Sequence, residues 1–102
     1  MADDAPAKKG YWIAHVRVDD PEGWAAYVEA ARPAFEAWGA RFLARGGAFS
    51  EVENGLGRSR HVVAEFPSYQ AALDCYHSET YQAARKLREN AGVACITLIE
   101  GV

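Results

Sequence analysis

A short strand near the middle of the chain limits the fold more than any other feature. Residues 41–44 are typical of a β-strand, and the following Arg45, Gly46 and Gly47 interrupt it at a bulge or a close backbone approach. Residues 48–52 are predicted to continue it. The residues before this strand predict a strand and a helix, and the residues after it predict a strand, a helix and a strand. The predicted order is therefore β-α-β-β-α-β.

The elements before this strand are marked by apolar periodicity and by a helix start. Residues 11–18 alternate between a fully apolar face and a mixed face that carries His15. Asp20 and Pro21 are residue types that cap and open a helix. The helix that follows has an apolar stripe at helical spacing, and Pro33 within it predicts either a bend or the loss of the last turns.

The elements after the central strand begin with a turn. Residues 54–57 predict that turn, so residues 60–66 should return as an antiparallel strand. Ser68 caps the next helix, Ser78 caps a further helical segment, and residues 93–99 are apolar enough to be covered on both faces. This pattern predicts an α+β, ferredoxin-like fold, with one four-stranded antiparallel sheet and the helices on one face.

The chain has the length of one domain, and its sheet has a second face that needs a partner. The 102 residues divide into a flexible tail at residues 1–9 and a single domain at residues 10–102. The sheet face opposite the helices carries the apolar Ile13 beside the polar His15 and Glu65, which suits neither open water nor a plain core. A second copy of the chain on this face explains the mixture, so we expect a homodimer.

Charge and cysteine usage exclude several classes of protein. The net charge of -3 disfavours a nucleic-acid partner, because phosphate binding needs a basic surface. No apolar run approaches transmembrane length and no signal peptide precedes the fold, so we expect a cytoplasmic protein without a membrane partner. Cys75 and Cys95 lie in apolar segments, and neither has a metal-like CxxC or Cys/His spacing. They predict two buried reduced thiols rather than a disulfide or a nucleophile, and neither a metal site nor a cofactor is expected.

Several motifs resemble those of one bacterial family. They are the first strand with Asp20 and Pro21 after it, residues 42–47, residues 65–68, Tyr76 with Ser78, Tyr81 with Gln82, Arg88, and residues 100–102. Over residues 10–102 the chain resembles the domain-of-unknown-function family 1330, in the dimeric α+β barrel superfamily. The resemblance implies a ferredoxin-like protomer whose sheet packs on that of its partner to form a barrel. It implies no function, and the activities of better-known barrel relatives, such as cofactor-free monooxygenases, muconolactone-isomerase-like proteins and haem peroxidases, would be carried over by fold alone.

Three polar residues are the candidate catalytic group. Arg45, beside two glycines, can clamp a carboxylate in a bidentate geometry; the alternative is an internal ion pair with Glu65 that supports the sheet and the dimer. His15 can act as a general acid or base, oriented by Glu65 on the same sheet face; the alternative is a hydrogen-bonded histidine at the dimer interface. His61 and His77 are expected to contact solvent.

The candidate ligand-binding residues are aromatic or lie near the helix break. Tyr27, Tyr76 and Tyr81 can line a pocket and donate phenolic hydrogen bonds, although aromatic residues at helical spacing are more often part of a core. Ser78 and its two tyrosine neighbours flank the break between helical segments, where functional loops tend to lie.

Together these residues predict a pocket between the sheet and the helices or the partner. The ligand would be a small, partly apolar or anionic metabolite, and any chemistry would be proton transfer or cofactor-free oxidation. Two alternatives stay open: a non-catalytic dimeric binding or interaction module, and a purely structural dimer.

Overall fold

The computed structural model describes residues 7–102 of the chain. Residues 1–6 of the predicted tail therefore lie outside the described residues. Close to the start of the described part, the carbonyl oxygen of Lys9 accepts a hydrogen bond of 2.7 Å from the backbone N–H of Gly101. No helix in residues 7–102 is long and apolar enough to cross a membrane.

Four strands and three helices make up the described chain. In order they are β1 (Gly10–Val18), α1 (Pro21–Ala37), β2 (Arg41–Arg45), β3 (Arg60–Phe66), α2 (Tyr69–His77), α3 (Glu79–Lys86) and β4 (Gly92–Glu100). The strands form one antiparallel sheet in the order β2-β3-β1-β4. The helices cover one face of this sheet, and α1 packs beside α3. The predicted α+β, ferredoxin-like fold is confirmed.

Each helix begins at a capping side chain that the sequence predicts. A carboxylate oxygen of Asp20 accepts from the N–H of Glu22 at 3.2 Å, and Ser68 Oγ accepts from the N–H of Ala71 at 3.0 Å. Ser78 Oγ accepts from the N–H of Tyr81 at 3.1 Å, which opens α3. These contacts satisfy backbone donors that the first turn of a helix leaves free, so the boundaries follow from local chemistry.

Pro33 does not split the last turns from α1, which is one of the two alternative outcomes predicted for it. The helix continues through Pro33 to Ala37 and ends just before Gly39, whose φ of +76° suits a helix terminus. Ala31 and Ala34 are both buried, on either side of the proline. Their packing holds the helix together across a position that lacks a backbone donor.

The predicted continuation of β2 at residues 48–52 is wrong. The strand ends at Arg45, and a long connection without regular structure leads to Arg60. Gly46 has a φ of +69°, a conformation that glycine adopts readily and that turns the backbone away from the strand. The connection returns over the sheet, because the ring of Phe49 lies 4.4 Å from the ring of His61.

The core lies between the helices and the sheet. Trp12 is 2 % exposed, and its ring meets those of Phe35 and Tyr81 edge-on, at 5.0 Å in both cases. Aromatic pairs in this geometry stabilise a fold by about 0.5–1.5 kcal/mol each beyond the burial of their surface. Phe66 and Tyr76 complete the cluster around Trp12.

The two cysteines lie on opposite sides of the sheet. Cys75, on α2, is fully buried, as predicted, but Cys95 is exposed, so the prediction of two buried thiols is wrong for Cys95. The alternation of β4 directs Ile96 to the helix side and Cys95 to the open face, beside His15 on β1.

Candidate functional site

A bulge in β2 decides where Arg45 points. Phe42 pairs with Ala64, but the register shifts before Ala44, so Arg45 pairs with Val62. Val62 and Ala64 lie on the helix-covered face of β3, and paired residues share a face. Arg45 therefore lies on the helix side.

The predicted contact between Arg45 and Glu65 is wrong for this reason. Glu65 lies on the open face, where its neighbours in the register are Tyr11 and Arg41. Glu65 accepts a hydrogen bond of 3.0 Å from the phenol of Tyr11, and this bond to a carboxylate raises the pKa of Tyr11. The structure does not bring Arg45 together with His15 and Glu65.

A cavity of about 320 Å³ lies between α1 and the helix-covered face of the sheet. Its walls are mostly aromatic or small and apolar, and its charged residues are Arg32 and Glu36 on α1, Arg45 on β2 and Arg60 on β3. The lining residues include Trp12, Ala14, Trp24, Tyr27, Phe35, Glu36, Phe42, Arg45, Arg60 and Val62.

Two guanidinium groups stand at the β2–β3 side of this cavity. Arg45 Cζ lies 4.2 Å from the centre of the Phe42 ring, a cation–π contact. Arg60 packs against the backbone of Gly46, where an added Cβ would lie 2.6 Å from Nη1 of Arg60. Ion pairs in the described residues involve two other arginines, Arg17 with Asp19 and Arg32 with Glu29.

Arg60 is not among the site residues that the sequence predicts. The signal that finds it is structural: Arg60 alternates onto the same face of β3 as Val62, and the glycine opposite leaves room for its head group. Within residues 7–102, neither Arg45 nor Arg60 has a carboxylate at ion-pair distance. The cavity therefore offers positive charge to an anion.

Tyr27 forms part of the cavity wall and is held from behind. Its phenol lies 2.8 Å from that of Tyr81, and Arg88 donates to the Tyr81 oxygen at 3.2 Å. Burial, and then the neighbouring Tyr81, raise the pKa of Tyr27. A phenol with a raised pKa stays protonated near neutral pH, so Tyr27 is suited to hydrogen bonding and not to proton abstraction.

The other predicted ligand-binding residues lie away from this wall. Tyr81 is fully buried behind Tyr27, as expected of a core residue. Ser78 Oγ both caps α3 and donates to the carbonyl of Cys75 at 2.7 Å. Tyr76 packs on Trp12 and borders a second cavity near β4.

The open face of the sheet carries a histidine pair. The Nδ1 atoms of His15 and His61, which are register partners, lie 2.8 Å apart. His15 thus meets His61 and not Glu65, and His61, which was expected to contact solvent, is half-buried. Alternation along each strand predicts that both rings lie on one face. The strand register, which brings the two rings into contact, is set only when the strands pair.

Comparison of the sequence with known families finds one match. The family described as Domain of unknown function (DUF1330) matches residues 9–102. The chain belongs to this family. Among curated proteins, none is similar enough in sequence to count as a match.

Solved structures share the fold of this DUF1330 domain. A protein of unknown function from Rhodopseudomonas palustris superposes with a TM-score of 0.73 at 20% identity, covering 97% of this chain and 86% of the other. A dimeric ferredoxin-like protein of unknown function from Thermobifida fusca has a TM-score of 0.61 at 15% identity and covers 98% of both chains. SnoaB from Streptomyces nogalater, a cofactor-independent oxygenase, has a TM-score of 0.66 at 10% identity, with 91% and 92% covered. At identities this low, the superpositions establish a common fold and no more.

Proposed function

We propose that this DUF1330 protein is a homodimer that binds a small, largely apolar anion in the cavity between α1 and the sheet. One observation carries the proposal: Arg45 and Arg60 face an aromatic cavity without a carboxylate at ion-pair distance in the described residues. Arginine can hold a carboxylate with two parallel hydrogen bonds, and a site of low polarity strengthens them.

The size of the cavity limits the ligand. Ligand pockets typically measure about 300–1,000 Å³. At about 320 Å³ the cavity lies at the small end of that range. Its flat aromatic walls, among them Trp24 and Phe35, suit a ligand of one or two rings, with the acidic group directed toward Arg45 and Arg60.

Binding without catalysis is better supported than proton transfer. The polar groups on the cavity side are arginines, a protonated Tyr27 and the carboxylate of Glu36, whereas His15 and Glu65 lie on the opposite face of the sheet. Cofactor-free oxidation is the second candidate, favoured by the apolar cavity and by a fold that the oxygenase SnoaB shares. Oxygen uptake by the protein with a bound electron-rich phenol tests it.

The open face of the sheet supports the homodimer. Ile13 and Val63 are register partners on it, and with Ile99, which lies diagonally from Ile13 on β4, they form an apolar band across three strands. Such a band is costly in water, and the Thermobifida fusca protein of the same fold is dimeric. In this arrangement the His15–His61 pair lies in the interface.

Benzoate binding tests the proposed function. Trp12 and Trp24 line the cavity, so tryptophan fluorescence reports its occupancy. Replacing one guanidinium that bonds a carboxylate should weaken binding about tenfold, so we expect this of Arg45→Gln and of Arg60→Gln.

Arg41→Gln is the matched control. Arg41 lies on the same strand as Arg45, but it is the register partner of Glu65 and therefore lies on the open face. This variant should bind benzoate as the native protein does. Equal affinity in all four proteins would refute the anion site.

A further inference from the structure

A second, more open cavity of about 450 Å³ lies at the β4 edge of the same sheet face. It is bordered by Tyr76, Arg85, Arg88, Ala94, Ile96 and Leu98. Ala94 and Ile96 also line the cavity described above, so the two spaces adjoin over these two side chains.

Arg88 borders the second cavity and packs against two residues that line the first. Its guanidinium lies 5.1 Å from the centre of the Tyr27 ring and 5.9 Å from that of Trp24, both walls of the first cavity. One of its nitrogens donates to the Tyr81 phenol, while Nε is buried without a hydrogen-bond partner in the described residues. Arginine stays charged in proteins, so this is a half-buried cation that neutral rings surround.

Arg85 adds a second positive charge to this end. Its Nε donates to the side-chain oxygen of Gln82 at 2.8 Å, and no carboxylate in residues 7–102 lies within ion-pair distance of Arg85 or Arg88. The strand order β2-β3-β1-β4 puts this pair beside one edge strand and Arg45 beside the other. The helix-covered face thus has two arginines toward each edge and apolar side chains between them.

We propose that the two cavities form one binding channel, and that its ligand is an elongated apolar molecule with an acidic group at each end. Arg45 and Arg60 bind one acidic group, as the proposed function requires, and Arg85 and Arg88 bind the other. The middle of the ligand lies over Ala94 and Ile96, against the rings of Trp24 and Tyr27.

Matched pairs of aromatic acids test the channel: benzoate against terephthalate, and a biphenyl monocarboxylate against the para-linked biphenyl dicarboxylate. Each is titrated into the full-length protein and followed by tryptophan fluorescence and calorimetry. A second charge-assisted contact should make at least one dicarboxylate bind about tenfold more tightly than its monocarboxylate partner.

The ratio of the dicarboxylate affinity to the monocarboxylate affinity, measured in arginine variants, identifies the arginines that bind the second acidic group. Arg85→Gln and Arg88→Met should each bring the dicarboxylate preference close to one, whereas Lys86→Gln, the same loss of charge on an exposed neighbour, should preserve it. Arg88 packs on the core, so thermal melting must accompany Arg88→Met. Arg85→Gln, on the surface of α3, keeps the test valid if Arg88→Met fails to fold.

The possible failures are distinct. A dicarboxylate preference that is absent from the native protein, or that survives in Arg85→Gln and in folded Arg88→Met, overturns the channel. Benzoate binding that does not depend on Arg45 or Arg60 overturns the proposed function instead. Absence of binding by all four acids, the two monocarboxylates included, overturns both.

Discussion

The guanidinium of Arg45 stacks on the ring of Phe42, with 4.2 Å between Cζ and the ring centre, although three positions separate the two residues on β2. Regular alternation would put positions 42 and 45 on opposite faces of the sheet. The register shift between Phe42 and Ala44 puts both on the helix side. This single irregularity moves a positive charge from the open face to the cavity.

Gly46 is the first residue whose replacement should disturb this arrangement. Gly46→Ala would strain a backbone with φ of +69° and push a methyl group into Arg60. We expect it to lower the free energy of unfolding by about 1 kcal/mol or more. It should also weaken benzoate binding, because Arg60 is displaced.

Gly47→Ala is the control for that variant. An added Cβ at Gly47 has no atom within 4 Å, and its φ is not positive. Urea unfolding and a benzoate titration on both variants make the comparison. If the two variants have equal stability and affinity, Gly46 does not position Arg60.

Local signals in the sequence predict most of the fold. The caps at Asp20, Ser68 and Ser78 act through side chains on their own helix, so no knowledge of the rest of the molecule is needed. The order of elements follows from periodicity, and for β-α-β-β-α-β the ferredoxin-like sheet is a common solution. The candidate site depends instead on a bulge and on strand register, which arise only when strands pair.

His15 illustrates that limit. The sequence places His15, His61 and Glu65 on one face, but a choice between the two partners requires the register of β1 on β3. In the structure His15 lies opposite His61, and Glu65 lies four residues along β3, opposite Tyr11. The sequence therefore predicts the correct sheet face for His15 but the wrong hydrogen-bond partner.

The His15–His61 hydrogen bond should appear as an energetic coupling between the two side chains. One ring donates and the other accepts, so removal of either ring leaves the other without its partner. A double-mutant cycle with His15→Ala and His61→Ala should give about 1 kcal/mol of coupling.

Urea unfolding of the native protein and the three variants measures that coupling. His77→Ala, which removes an exposed histidine of α2, replaces His61→Ala in the control cycle and should show no coupling with His15. Equal coupling in the two cycles would mean that His15 and His61 do not form a hydrogen bond.

Cys75 should make the protein less stable in alkali. Burial raises the pKa of this thiol from its ordinary value of 9.0 to about 12. Above the ordinary value the unfolded chain loses the proton while the folded chain keeps it, so stability is full below that pH and falls as the pH rises toward 12. The expected slope from this one group is up to about 1.4 kcal/mol per pH unit.

Urea unfolding at pH values from about 8 to about 11, where thiols titrate, measures the effect. Cys75→Ala should flatten the decline, whereas Thr80→Ala, at an exposed position of α3 that has no thiol, should leave it unchanged. Identical pH profiles for the native protein and Cys75→Ala would show that this thiol is not buried in the native state.

The open face of the sheet should join the two copies. Ile13→Asp puts a charge in the centre of the apolar band on that face, where Val63 and Thr97 are its register partners. An unpaired charge in an interface is strongly unfavourable, so light scattering should find a dimer for the native protein and a monomer for this variant. Leu87→Asp is the control, because Leu87 is also exposed but follows α3 on the helix side, and this variant should stay dimeric.

Cys95 offers a second measurement of the same interface. It lies on the open face, so it should react with a maleimide faster in Ile13→Asp than in the native dimer. A native monomer, or a dimer that Ile13→Asp leaves intact, would exclude this face as the interface.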